Sequence, residues 1–316
     1  MAWSSPPVDC NATRVPGRVV YHVSVGPLLV SSSLRIDVGG APALDGLTLA
    51  STRQSVLVLG APTALFEAAA GLRSVEHGEL LVAGISPAAA SRSGMAAAAP
   101  LDPPLPSRWT VSDYIGWSAR LSGLAGAHCE NAIHEALERM GLLPDRSARL
   151  GKASVTLRRR VVIGAAIATG ARILLLEDPI TGLSPDAEPS FAGIVARAMH
   201  DQPTVVFMGR VALDSPVALA ADEAIVVDGS KVVAQGSPTE VAGHANSFSV
   251  RVTGNVDALT KALTASGCRL QSAESSAETS RFTVDLGNLG TSDLLRFAEA
   301  SSAVVLELRP LTWVFA

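Results

Sequence analysis

Two adjacent carboxylates, Glu177 and Asp178, close an apolar run over residues 173–176 and lead into Pro179 and a turn through Gly182 and Ser184-Pro185. Such a run reads as a strand buried on both faces, and the carboxyl end of that strand is where an open α/β sheet presents functional groups. Phosphate-handling enzymes place there an acid that holds Mg²⁺ and a group that orients the nucleophile. A buried strand followed by a helix cap explains the same residues without chemistry.

A second candidate lies at Gly60. The apolar run 55–59 ends there and passes through Ala61, Pro62 and Thr63 into a helix-like segment over 63–72. Strand, glycine turn and helix form the setting of a phosphate-binding loop. The loop chemistry is missing, however. A phosphate cradle needs G-x-x-x-x-G-K-[ST], whose amides ring the phosphates and whose lysine reaches the terminal ones. Here no lysine follows Gly60, and Pro62 has no N–H to offer. Thr63 remains as a helix cap or a hydroxyl ligand.

The elements that must position these residues follow from the rest of the chain. With 316 residues, 48% hydrophobic and 17% charged, it has ample material for a large domain and a smaller companion. A net charge of −4 gives no electrostatic footprint for nucleic acid, which is excluded as a partner. Cys10, Cys129 and Cys268 are odd in number and widely spaced, as expected of reduced thiols in a cytosolic protein. The histidines have no metal-ligand spacing. No uncharged run reaches the roughly 20 residues that span a bilayer, and the N-terminus lacks a signal-peptide core.

Residues 1–18, rich in Ser and Pro, read as a flexible arm. Short β-like runs follow over 19–23 and 28–36, then the strand 55–59 and its helix. Residues 89–106, rich in Ala and Pro, read as a surface loop. Thr110 to Asp113 forms a capping box that opens a helix, and a second helix carries Ile133, Leu137 and Met140 on one face. Arg158, Arg159 and Arg160 begin a third and read as a solvated face. A helix marked by Phe191, Ile194, Val195 and Met199 precedes a buried strand at 204–208. Asp228-Gly229-Ser230 marks a hairpin. Alternating strands and helices predict a mostly parallel sheet with antiparallel additions. Beyond residue 242 the order becomes β-α-β-β-α-β, a ferredoxin-like unit.

Taken together, residues 19–242 resemble the nucleotide-binding subunit of an ABC transporter. ALDGLTLASTRQSVLVLG (43–60) is similar to the approach to its Walker A loop, and GELLVAG (78–84) to the strand and turn that follow. LPSRWTVSDYI (105–115) is similar to the segment after its Q-loop. RRRVVIGAAIATGARILLLEDPITGLSP (158–185) is similar to the stretch from signature helix through Walker B to D-loop, and VVDGSKVVAQGSPTEV (226–241) to the hairpin after its switch histidine. The ending ELRPLTWVFA resembles the tail of ATPase subunits serving export permeases. Leu311, Val314 and Phe315 match, and Thr312 and Trp313 replace an acidic pair.

The resemblance implies a P-loop NTPase-like α/β sheet with a helical subdomain over 19–242 and a small α+β ferredoxin-like domain over 243–316. It also implies where this chain departs from the family. The Walker A lysine position falls at Pro62 or is deleted, the Q-loop glutamine aligns with Leu101, and the switch histidine is replaced by Gly209-Arg210. The signature aligns with Ala153-Ser154-Val155-Thr156-Leu157 and keeps only Ser154. Glu177 stands at the Mg²⁺ position, Asp178 at the catalytic glutamate, and Ser184 at the D-loop aspartate.

The resulting expectation is a pseudo-ATPase subunit on the cytoplasmic face of the membrane, without a resident metal. It would dock on a permease, either as a homodimer or beside an intact ATPase subunit. Two alternatives stay open: a subunit with weak Mg-ATP binding and slow hydrolysis, and a cytosolic interaction module outside transport. An apolar groove around residues 96–111 favours transport, and a polar one favours the module.

Overall fold

The structure is a computed structural model that describes residues 10–15, 18–23, 26–60, 63–212, 214–228, 230–244, 247–275 and 279–311. At the N-terminus β1 (Cys10–Val15) pairs antiparallel with β2 (Arg18–Val23). Part of the expected arm is therefore a hairpin, in keeping with the β-branched and aromatic residues of its second strand. Next come β3 (Leu29–Val38), β4 (Ala41–Ala50), the fully buried β5 (Ser55–Leu59), α1 (Thr63–Ala69) and β6 (His77–Val82). β4, β3 and β6 form a three-stranded antiparallel sheet in that order.

Within the stretch expected to be a surface loop, α2 (Pro87–Arg92) and β7 (Ala96–Ala99) are regular elements. Four consecutive alanines have little intrinsic preference for a strand. Here they form one because they pair in parallel with β8. Three helices follow: α3 (Val111–Leu121), α4 (Gly126–Arg139) and α5 (Val155–Ala168). The expected capping box opens α3, with Asp113 N–H donating to Thr110 Oγ1 at 3.1 Å and Thr110 N–H to Asp113 Oδ2 at 2.8 Å. Then come β8 (Ile173–Glu177), α6 (Glu188–Asp201), β9 (Thr204–Met208), α7 (Pro216–Leu219), β10 (Glu223–Asp228), β11 (Lys231–Gly236) and α8 (Pro238–His244).

The central sheet runs β11-β10-β5-β9-β8-β7. All its pairs are parallel except β10 with β11. One core packs α3, α4, α5 and α6 against one face through Leu57, Leu59, Leu174 and Leu176. The other face, through Val56, Val58, Ile173 and Leu175, meets α1 and the three-stranded sheet. Strands buried on both faces are apolar at every position, which is why these runs are continuous.

The remaining elements are β12 (Ser247–Gly254), α9 (Val256–Ala265), β13 (Arg269–Ser275), β14 (Ser280–Asp285), α10 (Thr291–Ala300) and β15 (Ala303–Leu311). Their sheet order is β13-β14-β12-β15 with every pair antiparallel. That is the expected ferredoxin-like arrangement, closed over its own core of Val250, Val252, Leu259, Phe282 and Leu294. Thr312, Trp313, Val314 and Phe315, used in the tail comparison, lie outside the described residues.

Candidate functional site

The parallel pairing brings the carboxyl ends of β5, β7, β8 and β9 together, and with them Gly60, Leu101, Glu177, Asp178 and Gly209. Glu177, half-buried, accepts a hydrogen bond at Oε2 from the Leu101 N–H at 3.0 Å. The carboxylate expected at a metal position thus holds the backbone of the residue expected at the glutamine position. Asp178 donates its N–H to Phe207 O at 2.8 Å, fixing the end of β8 to β9. Its φ is +41°, a left-handed conformation that Asp tolerates better than most residues. Its Oδ1 is buried without a hydrogen-bond partner among the described residues.

The turn after β5 is tied down as well. Gly60 has φ +70° and donates its N–H to Met208 O at 2.9 Å and Gly209 O at 3.1 Å. Ala61 and Pro62 lie outside the described residues. α1 begins at Thr63, so two residues separate Gly60 from the helix, and Thr63 itself is exposed. The helix is wedged into the core through Leu65 and Phe66, the latter edge-on to Phe207 with ring centres 5.7 Å apart.

The arginine run at the start of α5 is not a solvated face. All three arginines are half-buried, because Val161–Ala168 of the same helix is buried on every side. Arg158 Nη2 pairs with Asp102 Oδ1 at 3.0 Å. Arg159 Nη1 donates to Pro179 O at 3.1 Å. Burial pushes the Arg159 guanidinium below its ordinary value, and the charges of Asp178 and Asp102 oppose that shift. Between Leu101, Arg159, Glu177 and Pro179 lies a cavity of about 10 Å³, room for about one water. The sequence gives Asp102 no distinguishing signal. The one signal for Arg159 was its place in a basic run on an otherwise apolar helix.

Two other candidates stand apart. Ser154 caps α5, accepting the Leu157 N–H at 3.2 Å. The Ser184 carbonyl accepts the N–H groups of Ala187 and Glu188 at 2.9 and 3.0 Å, and its side chain is exposed. Among the described residues no hydrogen bond or ion pair joins either serine to Glu177 or Asp178, and no group of three or more His, Cys, Asp or Glu could hold a metal ion. No helix among them is long and apolar enough to cross a membrane.

A larger groove of about 580 Å³ runs beside β7, lined by alanines, serines, Tyr114, Leu121 and Arg92. Its lining mixes polar and apolar groups, so it does not separate a transport subunit from an interaction module.

The fold of the chain is that of the ABC-type ATPases. It is similar to the structure of cbiO1 from Clostridium perfringens, part of the ABC transporter complex cbiONQ, with a TM-score of 0.58, 21% identity, and coverage of 70% of this chain and 95% of that one. It is also similar to a nucleotide-free ATP-binding cassette from an ABC transporter, with a TM-score of 0.57, 17% identity, and coverage of 69% and 94%. In sequence it is similar to the methionine import ATP-binding protein MetN of Caulobacter vibrioides, 28% identical over 228 residues and 67% of each chain. It is likewise similar to the daunorubicin/doxorubicin resistance ATP-binding protein DrrA of Streptomyces peucetius, 31% identical over 143 residues, 45% of this chain and 43% of the relative. Against several relatives the matching stretch spans less than half of their own length. No protein-family model matches the chain.

Proposed function

We propose that this chain is a pseudo-ATPase subunit of an ABC-type membrane exporter. One observation carries the reading: the Gly60 N–H is engaged by Met208 O and Gly209 O, and only two residues separate Gly60 from α1. A phosphate cradle needs free amides and a lysine at this point. Residues 61–72 contain no lysine, and Glu177, the acid nearest a metal role, already accepts the Leu101 N–H. These engagements and the missing lysine support a chain that does not hold Mg-ATP as a catalytic site would. Phosphoryl transfer depends on positioned charge, and removing one such donor costs about 3 kcal/mol.

On this reading Ser154 and Ser184 are remnants of the signature and D-loop. Residues 19–242 are the nucleotide-binding-like unit and 243–316 the accessory unit, with residues 10–15 of the expected arm paired to β2. The partner is a permease at the cytoplasmic face, with a second ATPase subunit, identical or intact, beside it. The resistance protein among the relatives supports export, while the import proteins leave the direction to experiment. Asp178 Oδ1, without a partner among the described residues, favours a second reading, residual hydrolysis in an assembled complex.

The test is phosphate release by the purified chain with Mg-ATP, together with co-purification from its native membrane. The expected result is no turnover and recovery of a permease. Turnover that disappears in Asp178→Asn overturns the reading, as does failure to recover either a permease or an intact ATPase subunit.

A further inference from the structure

We infer, resting on the pseudo-ATPase reading, that Arg159 is the resident cation of the strand end that carries Glu177 and Asp178. Its guanidinium, joined to Glu177 through one water in the cavity they share, supplies the charge a divalent ion would bring and keeps such ions out. Two adjacent carboxylates drawn away from water are costly unless positive charge pairs with them. The start of α5 brings that charge. Arg158 Nη2 reaches Asp102 Oδ1, in the loop after β7, at 3.0 Å. Arg159 Nη1 reaches Pro179 O, in the loop after β8, at 3.1 Å. Consecutive arginines thus hold the loops that follow two neighbouring strands, and the Leu101 N–H to Glu177 Oε2 ties those loops to each other.

Arg159 is placed to do more than hold a carbonyl. Its Nε is buried without a hydrogen-bond partner among the described residues, and buried donors seldom stay unpaired. Arg159 and Glu177 line the same cavity of about 10 Å³, together with Leu101 and Pro179. A cavity of that size takes about one water, provided polar groups surround it. A water there accepts from the Arg159 Nε–H and donates to Glu177, whose Oε2 already takes the Leu101 N–H and whose Oε1 is left for it. Burial lowers the pKa of Arg159, and the charges of Asp178 and Asp102 raise it. A guanidinium keeps its proton under such opposing effects, so the positive charge is permanent.

The same geometry turns a divalent ion away. Mg²⁺ needs oxygen ligands at about 2.0–2.1 Å in near-octahedral array and usually keeps several of its waters. A cavity with room for one water does not admit that shell. One Glu177 oxygen is committed to a backbone amide, and a fixed guanidinium on the cavity wall repels a second cation. Among the described residues no group of three or more His, Cys, Asp or Glu could hold a metal ion. A side chain anchored to Pro179 O costs nothing to recruit, whereas an ion must be stripped of water each time it binds.

Thermal melting of the full chain with Mn²⁺ tests it. The ion is used without nucleotide, so the result is separate from the phosphate-release test of the proposed function. The wild type should melt at the same temperature with and without the ion. Arg159→Ala frees the carboxylates, and about 10 mM Mn²⁺ should raise its Tm by about 4 °C, as for a site of about 1 mM affinity. Arg159→Lys keeps the charge and should stay indifferent to Mn²⁺. Arg159→Ala combined with Glu177→Gln should lose the response. A crystal structure of the wild type grown with Mn²⁺ covers the case in which Arg159→Ala does not fold: one water within hydrogen-bond reach of both Arg159 Nε and Glu177 supports the assignment. An empty cavity, Mn²⁺ bound to the wild-type carboxylates, a folded Arg159→Ala chain that ignores the ion, or a response that survives Glu177→Gln overturns it.

Discussion

Glu177 is the sharpest place to separate a structural carboxylate from a metal-binding one. Its Oε2 takes the Leu101 N–H at 3.0 Å, and both residues are half-buried. A hydrogen bond to a charged group is worth about 1.5–3 kcal/mol net, and leaving the amide unpaired costs a similar amount. Glu177→Ala should therefore destabilise the chain by about 2 kcal/mol. Glu177→Gln keeps an acceptor of the same reach without the charge and should lose about 1 kcal/mol. For a unit of this size 1 kcal/mol moves Tm by about 2–4 °C, so the alanine variant should melt about 4–8 °C lower. Urea unfolding gives the stability, and hydrogen exchange at Leu101 locates the effect: protection should fall in the alanine variant and survive in the glutamine one. The reasoning is refuted if Glu177→Ala is neutral with Leu101 still protected. It is also refuted if Mg²⁺ stabilises the wild type and not Glu177→Gln, the signature of a metal ligand.

Other parts of the fold give independent checks. Gly78 has φ +80°, and a Cβ there would lie 2.3 Å from Ser33 O and 2.4 Å from Ser32 O. Gly78→Ala should cost about 2–4 kcal/mol in urea unfolding, against about 1 kcal/mol for Gly39→Ala, where no atom lies within 4 Å of the added carbon. The Thr110 backbone and side-chain hydrogen bonds hold the Asp113 carboxyl below its ordinary 3.8. Its contribution is therefore complete above that pH and is lost as pH falls through the lower folded value. Asp113→Asn should flatten the acid limb of the stability profile there, and Thr110→Ala should cost about 1 kcal/mol at neutral pH.

The sheet was legible because its strands are buried on both faces and so run apolar without interruption: residues 55–59, 173–176 and 204–208 could hardly be anything else. The C-terminal unit was legible from alternation and helix length, down to α9 and α10. β7 was not. Alanine and proline suggest a loop, and only pairing with β8, more than 70 residues later, makes residues 96–99 a strand. The bond between Leu101 and Glu177 spans 76 residues and leaves no local trace. The arginines of α5 misled for the opposite reason: charge density suggests solvent, yet the helix is enclosed and Asp102, on a distant loop, completes an ion pair.

Glu177 and Asp178, adjacent in sequence and alike in chemistry, part company in the fold. Glu177 has a structural partner that accounts for a carboxylate at that position. Asp178 has a left-handed φ and a buried oxygen without a hydrogen bond among the described residues, and its one described electrostatic role is to oppose the desolvation of Arg159. Strain of this kind costs about 1–3 kcal/mol and persists where the surroundings impose it. Here the imposing contact is the Asp178 N–H to Phe207 O, a backbone bond any residue could make. The backbone thus explains the conformation and leaves the carboxylate unexplained. Asp178, not Glu177, is the residue on which residual activity and mere ancestry make different demands.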